Sequence, residues 1–186
     1  MRQIEPSTLK LICYPDPRLR KKSAEVLKFD PWLQQVARRM FEVMYASKGV
    51  GLAAPQVGLN IRLFVCNQTG KPADGEELAF VNPVLSDLYG AEEGEEGCLS
   101  LPGVNGLVLR AARCRMQAFD VTGKPIDRTG EGLLARIWQH ETDHLDGVLL
   151  MDRFNEAARI ANRRAVRELE EKYGRPVKGR KRSLIG

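Results

Sequence analysis

Helix, several strands, helix, helix is the order in which structural signals follow one another along this chain. That order predicts an α+β fold with mainly antiparallel strands, because strands and helices do not alternate one for one as they do in doubly wound parallel folds. The chain has 186 residues, 43% of them apolar. One domain with a proper core is therefore expected. No internal repeat is visible.

The segment "YPDPRLRKKS" reads as a loop, since two prolines and an aspartate break any ladder. "DPWLQQVARRMFEVMYASKG" reads as an N-terminal helix: Asp30 can cap it, Pro31 suits its first turn and Gly49 can stop it. Leu33, Val36, Ala37, Met40 and Met44 recur at helical spacing, so one face is buried. "GVGLAAPQVGLN" is too rich in glycine to continue the helix and is expected to be a loop that brings backbone close to something. "IRLFVCN" and "LAFVNPVL" are strand candidates, rich in β-branched and aromatic residues. "EEGEEGCLSLPG" is expected to be irregular and extended. "CRMQAFDV" alternates as a strand does, and "TGKP" turns the chain after it. A second helix is expected to start near Gly130 or Glu131 and to run through the histidines to about Asp146, with Gly147 as its stop. "NEAARIANRRAVRELEEKY" reads as a C-terminal helix. The domain is drawn over residues 1–174, followed by a basic tail over 175–186 whose charge and lack of apolar residues predict disorder.

Composition narrows the function classes. No apolar run approaches a membrane span, and "MRQIEPSTLK" lacks the apolar core of a signal peptide. A cytoplasmic protein is expected. Cys13, Cys66, Cys98 and Cys114 show no paired local spacing, so they are read as reduced. The net charge is +5, but residues 162–186 hold nine basic residues against three acidic ones, leaving the rest of the chain near neutral. Basic character belongs to the tail and not to the domain.

The chain has two histidines, His140 and His144, both in "QHETDHLDG". Residues four apart lie on one face of a helix, so both can point at one ion. Glu141 follows the first and can reach a water held there: the H-E-x-x-H arrangement of two metal ligands and a general base. A catalytic site needs a third protein ligand. Leu150 stands where metzincins place a further histidine. The downstream acids Glu156, Glu168 and Glu170 are alternatives, the last two on a solvated-looking helix. Upstream, Cys98 lies in the glycine-flanked "EEGCLS", where a thiolate can approach an ion.

Three separated segments in order, "GVGLAAPQVG", "EEGCLSLPG" and "QHETDHLDG", resemble those of the bacterial peptide deformylases, and "CYPDPRLR" resembles that family's N-terminal stretch. The resemblance covers roughly residues 10 to 155. It implies antiparallel strands packed around a central metal-binding helix, and removal of the formyl group from formylmethionine of new polypeptides. It implies Cys98, His140 and His144 as metal ligands, Glu141 as acid–base, Gln56 as a side-chain oxyanion donor and Leu99 as a donor through its backbone N–H. Fe²⁺ is the implied ion, with Zn²⁺ or Ni²⁺ also able to occupy such a site.

Leu133 and Ile137 precede His140 by seven and three residues and share its helix face, so they are expected to wall an apolar slot for methionine. Val50 is expected to close that slot, and Gly51 to allow backbone pairing with an extended peptide. Arg110 follows Leu109, where the family often has proline, and is expected near Glu95 or Glu96. In the family the C-terminal helix can dock on the ribosome, so the basic segment is the candidate ribosome contact. Two other readings compete: an H-E-x-x-H endopeptidase with a glutamate third ligand, and a non-enzymatic metal module that binds ribosomal RNA.

Overall fold

The computed structural model describes residues 4–174; the tail expected over 175–186 lies outside the described residues. The first helix, α1 (Pro31–Ala46), forms as its sequence signals predict: the Asp30 carboxylate accepts the Leu33 N–H at 3.0 Å, and Pro31 opens the first turn. It ends before Gly49, with Lys48 taking the positive φ of 58°. Gly49 serves a close approach instead, since a Cβ there would lie 2.6 Å from Leu99 Cδ1.

Five strands form one antiparallel sheet. They are β1 (Gly51–Ala53), β2 (Leu63–Cys66), β3 (Leu78–Tyr89), β6 (Arg113–Phe119) and β7 (Pro125–Glu131), in spatial order β1-β2-β3-β6-β7. A separate hairpin pairs β4 (Glu92–Gly97) with β5 (Asn105–Arg110). The α+β expectation with antiparallel strands holds.

Two local expectations are corrected. The segment "GVGLAAPQVGLN" is not all loop: it holds β1, which pairs with β2, and a 3-10 turn, Ala54–Val57. "EEGEEG" is not irregular, because β5 supplies the partner that its own polar composition does not announce. The second helix starts at Gly132 with Glu131 as its N-cap, beside the expected start, and a strand that the sequence did not announce, β7, precedes it.

That helix, α2 (Gly132–Leu145), is buried on several sides. Its Trp138 packs against Phe80 of β3, with ring centroids 5.3 Å apart, and its ring rests on Gly130 of β7. A Cβ on Gly130 would come within 2.6 Å of the indole, so the glycine makes the seat. Truncating a buried ring of this kind costs roughly 3–5 kcal/mol. This contact fixes the rotation of α2, and rotation decides where His140 and His144 point. Gly147, at φ 74°, stops the helix as expected.

The last helix, α3 (Glu156–Tyr173), is capped by Asn155 and docks through buried Leu169 and Asn162. Asn162 exchanges hydrogen bonds with both backbone groups of Asn105, at 2.8 and 3.3 Å, and so ties α3 to the β4–β5 hairpin.

Candidate metal centre

His140 and His144 sit one helical turn apart on α2, with ring centroids 5.0 Å apart. Cys98 comes from the turn that follows β4, and its Sγ lies 3.3 Å from His144 Nε2. Ligand atoms of these three residues all lie within 4.8 Å of one another. The structure thus brings together two elements that are 42 residues apart in sequence at their nearest, Cys98 and His140. A thiolate with two imidazoles is a donor set for Fe²⁺, Zn²⁺ or Ni²⁺, not for Mg²⁺ or Ca²⁺.

The surroundings fit a cation as well. His144 Nδ1 and Glu141 Oε2 are buried with no hydrogen-bond partner among the described residues. Burial, then the positive charges of His140 and Arg110, hold His144 well below the usual histidine range, so it stays in the neutral form that ligates. Burial pushes the Glu141 carboxyl up to about 7. A buried carboxylate this close to three ligand atoms gains from a positive charge beside it.

Glu96 organises the imidazole. Its Oε2 accepts from His140 Nδ1 at 2.9 Å, which leaves His140 Nε2 for the ligand cluster. Arg110 donates to both Glu96 oxygens, at 2.9 and 3.0 Å, and to Asp143 at 2.6 Å. Of the two acids expected near Arg110, Glu96 is the partner. Burial alone would raise the Glu96 pKa, but the bonds from His140 and Arg110 outweigh it and lower the carboxyl to about 2. Burial alone would likewise lower the His140 pKa, but Cys98 and Glu96 outweigh it and keep it raised.

A cavity of about 360 Å³ opens onto Cys98, His140 and Glu141. Its wall also includes Val50, Gly51, Gln56, Leu99, Leu133 and Ile137, so every site residue expected from the sequence lines it except His144, whose Nε2 lies 3.3 Å from Cys98 Sγ. Gln56 is buried and held in one orientation. Its Oε1 accepts the Ala53 N–H at 2.8 Å, which turns Nε2 toward Cys98 Sγ at 3.6 Å and Ser100 Oγ at 3.2 Å. Gly51 lies against the Glu141 carboxylate: a Cβ there would sit 2.4 Å from Glu141 Oε1.

The competing glutamate ligands are elsewhere. Glu168 pairs with Arg164 on the exposed side of α3, Glu170 accepts from the Tyr14 hydroxyl, and Glu156 opens the first turn of α3. The four cysteines are free, as expected. Sequence reasoning missed Ser100 and Asp143, and it missed the hold of Glu96 on His140. A signal for Glu96 was present: residues two apart in a strand point the same way, which sets Glu96 beside Cys98. The polar composition of "EEGEEG" hides that strand.

Comparison with known proteins points the same way. The family model described as polypeptide deformylase matches residues 8–159. Peptide deformylase 1B, chloroplastic, of Oryza sativa is 43% identical over 177 residues, covering 92% of this chain and 64% of that protein. The chain thus spans slightly under two thirds of that plant relative. A peptide deformylase of Alkalilimnicola ehrlichii is 44% identical over 161 residues, covering 87% of this chain and 90% of its own. A plant peptide deformylase crystal structure superposes with a TM-score of 0.90 at 40% identity, covering 97% of this chain and all of that one.

Proposed function

The chain belongs to the polypeptide deformylase family, and on that premise we propose that it hydrolyses the N-terminal formyl group from formylmethionine of newly made polypeptides, releasing formate. The observation that carries the reading is the convergence of Cys98, His140 and His144, with Cys98, His140 and Glu141 on the wall of one cavity. Those three residues would hold one divalent ion, Fe²⁺ in the cell with Zn²⁺ or Ni²⁺ as alternatives, which would supply a water of lowered pKa and Lewis acidity toward the formyl group.

The residues of the chain do the rest. Glu141 takes the proton of the attacking water at its free Oε2 and passes it to the methionine nitrogen as the C–N bond breaks. Gln56 Nε2 and the Leu99 N–H donate to the oxygen as it gains charge. Because Gln56 is already held by Ala53 and Ser100, it needs no reorientation when that charge develops. Leu133 and Ile137 take the methionine side chain, Val50 closes the slot, and Gly51 lets an extended peptide backbone come close. The test is formate release from a formyl-methionyl peptide under anaerobic conditions, with iron, nickel and zinc forms compared. Turnover in at least one form is expected; absence of formate from all three metal-loaded forms would overturn the activity.

We also propose that the basic segment 162–186 brings the enzyme to the ribosome, where its substrate emerges, and that it works in the cytoplasm. Among the described residues, no helix is long and apolar enough to cross a membrane. Lysine and arginine contacts to RNA phosphates release counterions, so binding should weaken steeply with salt. Reversing the charges of Lys178, Arg180, Lys181 and Arg182 should abolish salt-sensitive co-sedimentation with ribosomes while leaving turnover of a short formyl peptide intact. Unchanged co-sedimentation at low salt would remove this distal segment as the anchor.

A further inference from the structure

The two halves of the metal centre belong to different hydrophobic units. The apolar residues of α2, Ala135, Ile137, Trp138 and Leu145, pack with the five-stranded sheet. The hairpin that leads to Cys98 packs through Val108 with Phe154, Leu149 and Leu169 instead. Core packing therefore orients each unit but does not by itself set the spacing between the thiol and the two imidazoles. Polar cross-links must set it.

Arg136 makes the broadest of these links. It lies one turn before His140 on α2, and its guanidinium reaches across both hairpin strands. Nη2 donates to the Glu92 carbonyl of β4 at 2.8 Å. Nη1 donates to the Val108 carbonyl of β5 and to Glu96 Oε1, each at 2.9 Å, with the Gly94 carbonyl at 3.5 Å. Glu96 also holds His140 and stands two residues before Cys98. A second observation concerns Gly94. A Cβ there would sit 2.8 Å from both Cζ and Nη2 of Arg136, so the missing side chain is the space the guanidinium occupies. A planar fork with several donors suits this bridging, and a lysine ammonium does not span it.

We propose that Arg136 is a positioning residue for the metal centre: it clamps the Cys98 hairpin to the histidine helix and so sets the distance between thiolate and imidazole ligands. This rests on the three-ligand reading of the site and is independent of which reaction the ion supports.

The experiment uses the full chain loaded with Co²⁺, whose thiolate charge-transfer and ligand-field bands report ligand geometry. Arg136→Met and Gly94→Ala are compared with the parent for those bands, for metal affinity by chelator competition, and for hydrogen exchange of the β4 and β5 amides. Changing a residue that holds a ligand in place costs about 10–100-fold in metal affinity. A loss of that size with shifted bands is expected in Arg136→Met. Gly94→Ala keeps the guanidinium but evicts it, and should move the same readouts in the same direction. Arg136→Lys, which reaches Glu96 but not both strands, should fall between. Parental bands and parental affinity in folded Arg136→Met overturn the proposal, even if its melting temperature drops. If that variant does not fold, parental bands and affinity in Gly94→Ala and Arg136→Lys overturn it instead. Failure of the parent to bind Co²⁺ would sink the three-ligand reading, and β4 exchange rates would then decide the clamp alone.

Discussion

Glu141→Ala is expected to fold, to keep one metal ion per chain and to lose formate release by about 10²–10⁴-fold, the range for a general acid–base group. The side chain is well placed for proton transfer and badly placed for structure. Its Oε2 has no partner among the described residues, so truncation breaks no hydrogen bond on that oxygen. The proposed ligand atoms belong to Cys98, His140 and His144, so the ion should stay. The loss should appear in kcat more than in KM, because the substitution leaves alone Leu133 and Ile137, the walls of the cavity proposed to take the methionine. Gly51→Ala approaches the same carboxylate from the other side. Its new methyl would lie 2.4 Å from Oε1 and 2.9 Å from Cδ, and the Gly51 backbone is not in the left-handed region, so the side chain must give way. A smaller loss of kcat with metal retained is the expected result. Near-normal deformylation by metal-loaded Glu141→Ala would remove Glu141 from the proposed mechanism.

The helix that carries this chemistry is legible in the sequence because its signal is local. His140 and His144 are four apart, Gly147 stops the helix, and no distant residue is needed to see either fact. The same holds for Asp30 and Pro31 at the start of α1. What is not legible depends on partners far away in sequence. "EEGEEG" offers no apolar alternation, and it becomes a strand because β5 pairs with it and buries Val108 and Arg110 on the inner side. Strand preference is largely a matter of such context. β7 escapes notice for a related reason. It is the edge strand, charged on its open face, and its one buried residue is Gly130, which seats the Trp138 ring and carries no hydrophobic signal. With β4 hidden, the link from Glu96 to His140, 44 residues on, is hidden too. Cys98 is within reach from local composition only as a candidate ligand; its convergence with the two histidines is a property of the hairpin's placement.

Cys98→Ala is expected to abolish both metal binding and turnover while leaving the fold intact. The fold should survive because backbone hydrogen bonds hold the chain on either side of the Cys98 side chain. Its carbonyl accepts the Leu101 N–H at 2.9 Å, the nearby Ser100 carbonyl accepts the Tyr14 N–H at 2.9 Å, and the β4–β5 register is set by pairs up to Gly97 and Asn105. Replacing the side chain removes none of these. The metal should go because two imidazoles on one helix turn remain, and catalytic sites of this kind hold their ion with three protein ligands. Cys66 and Cys114 do not substitute. Burial pushes the Cys66 thiol up to about 12 and the Cys114 thiol up to about 11, so both stay protonated at neutral pH, where only a thiolate ligates. Cys66→Ala and Cys114→Ala are accordingly expected to keep full metal content, which separates loss of a ligand from loss of any thiol. Metal content after dialysis, by elemental analysis on protein shown to be folded by circular dichroism, decides the matter. One tightly held ion per chain in well-folded Cys98→Ala would remove the thiolate from the site and reopen the choice of third ligand.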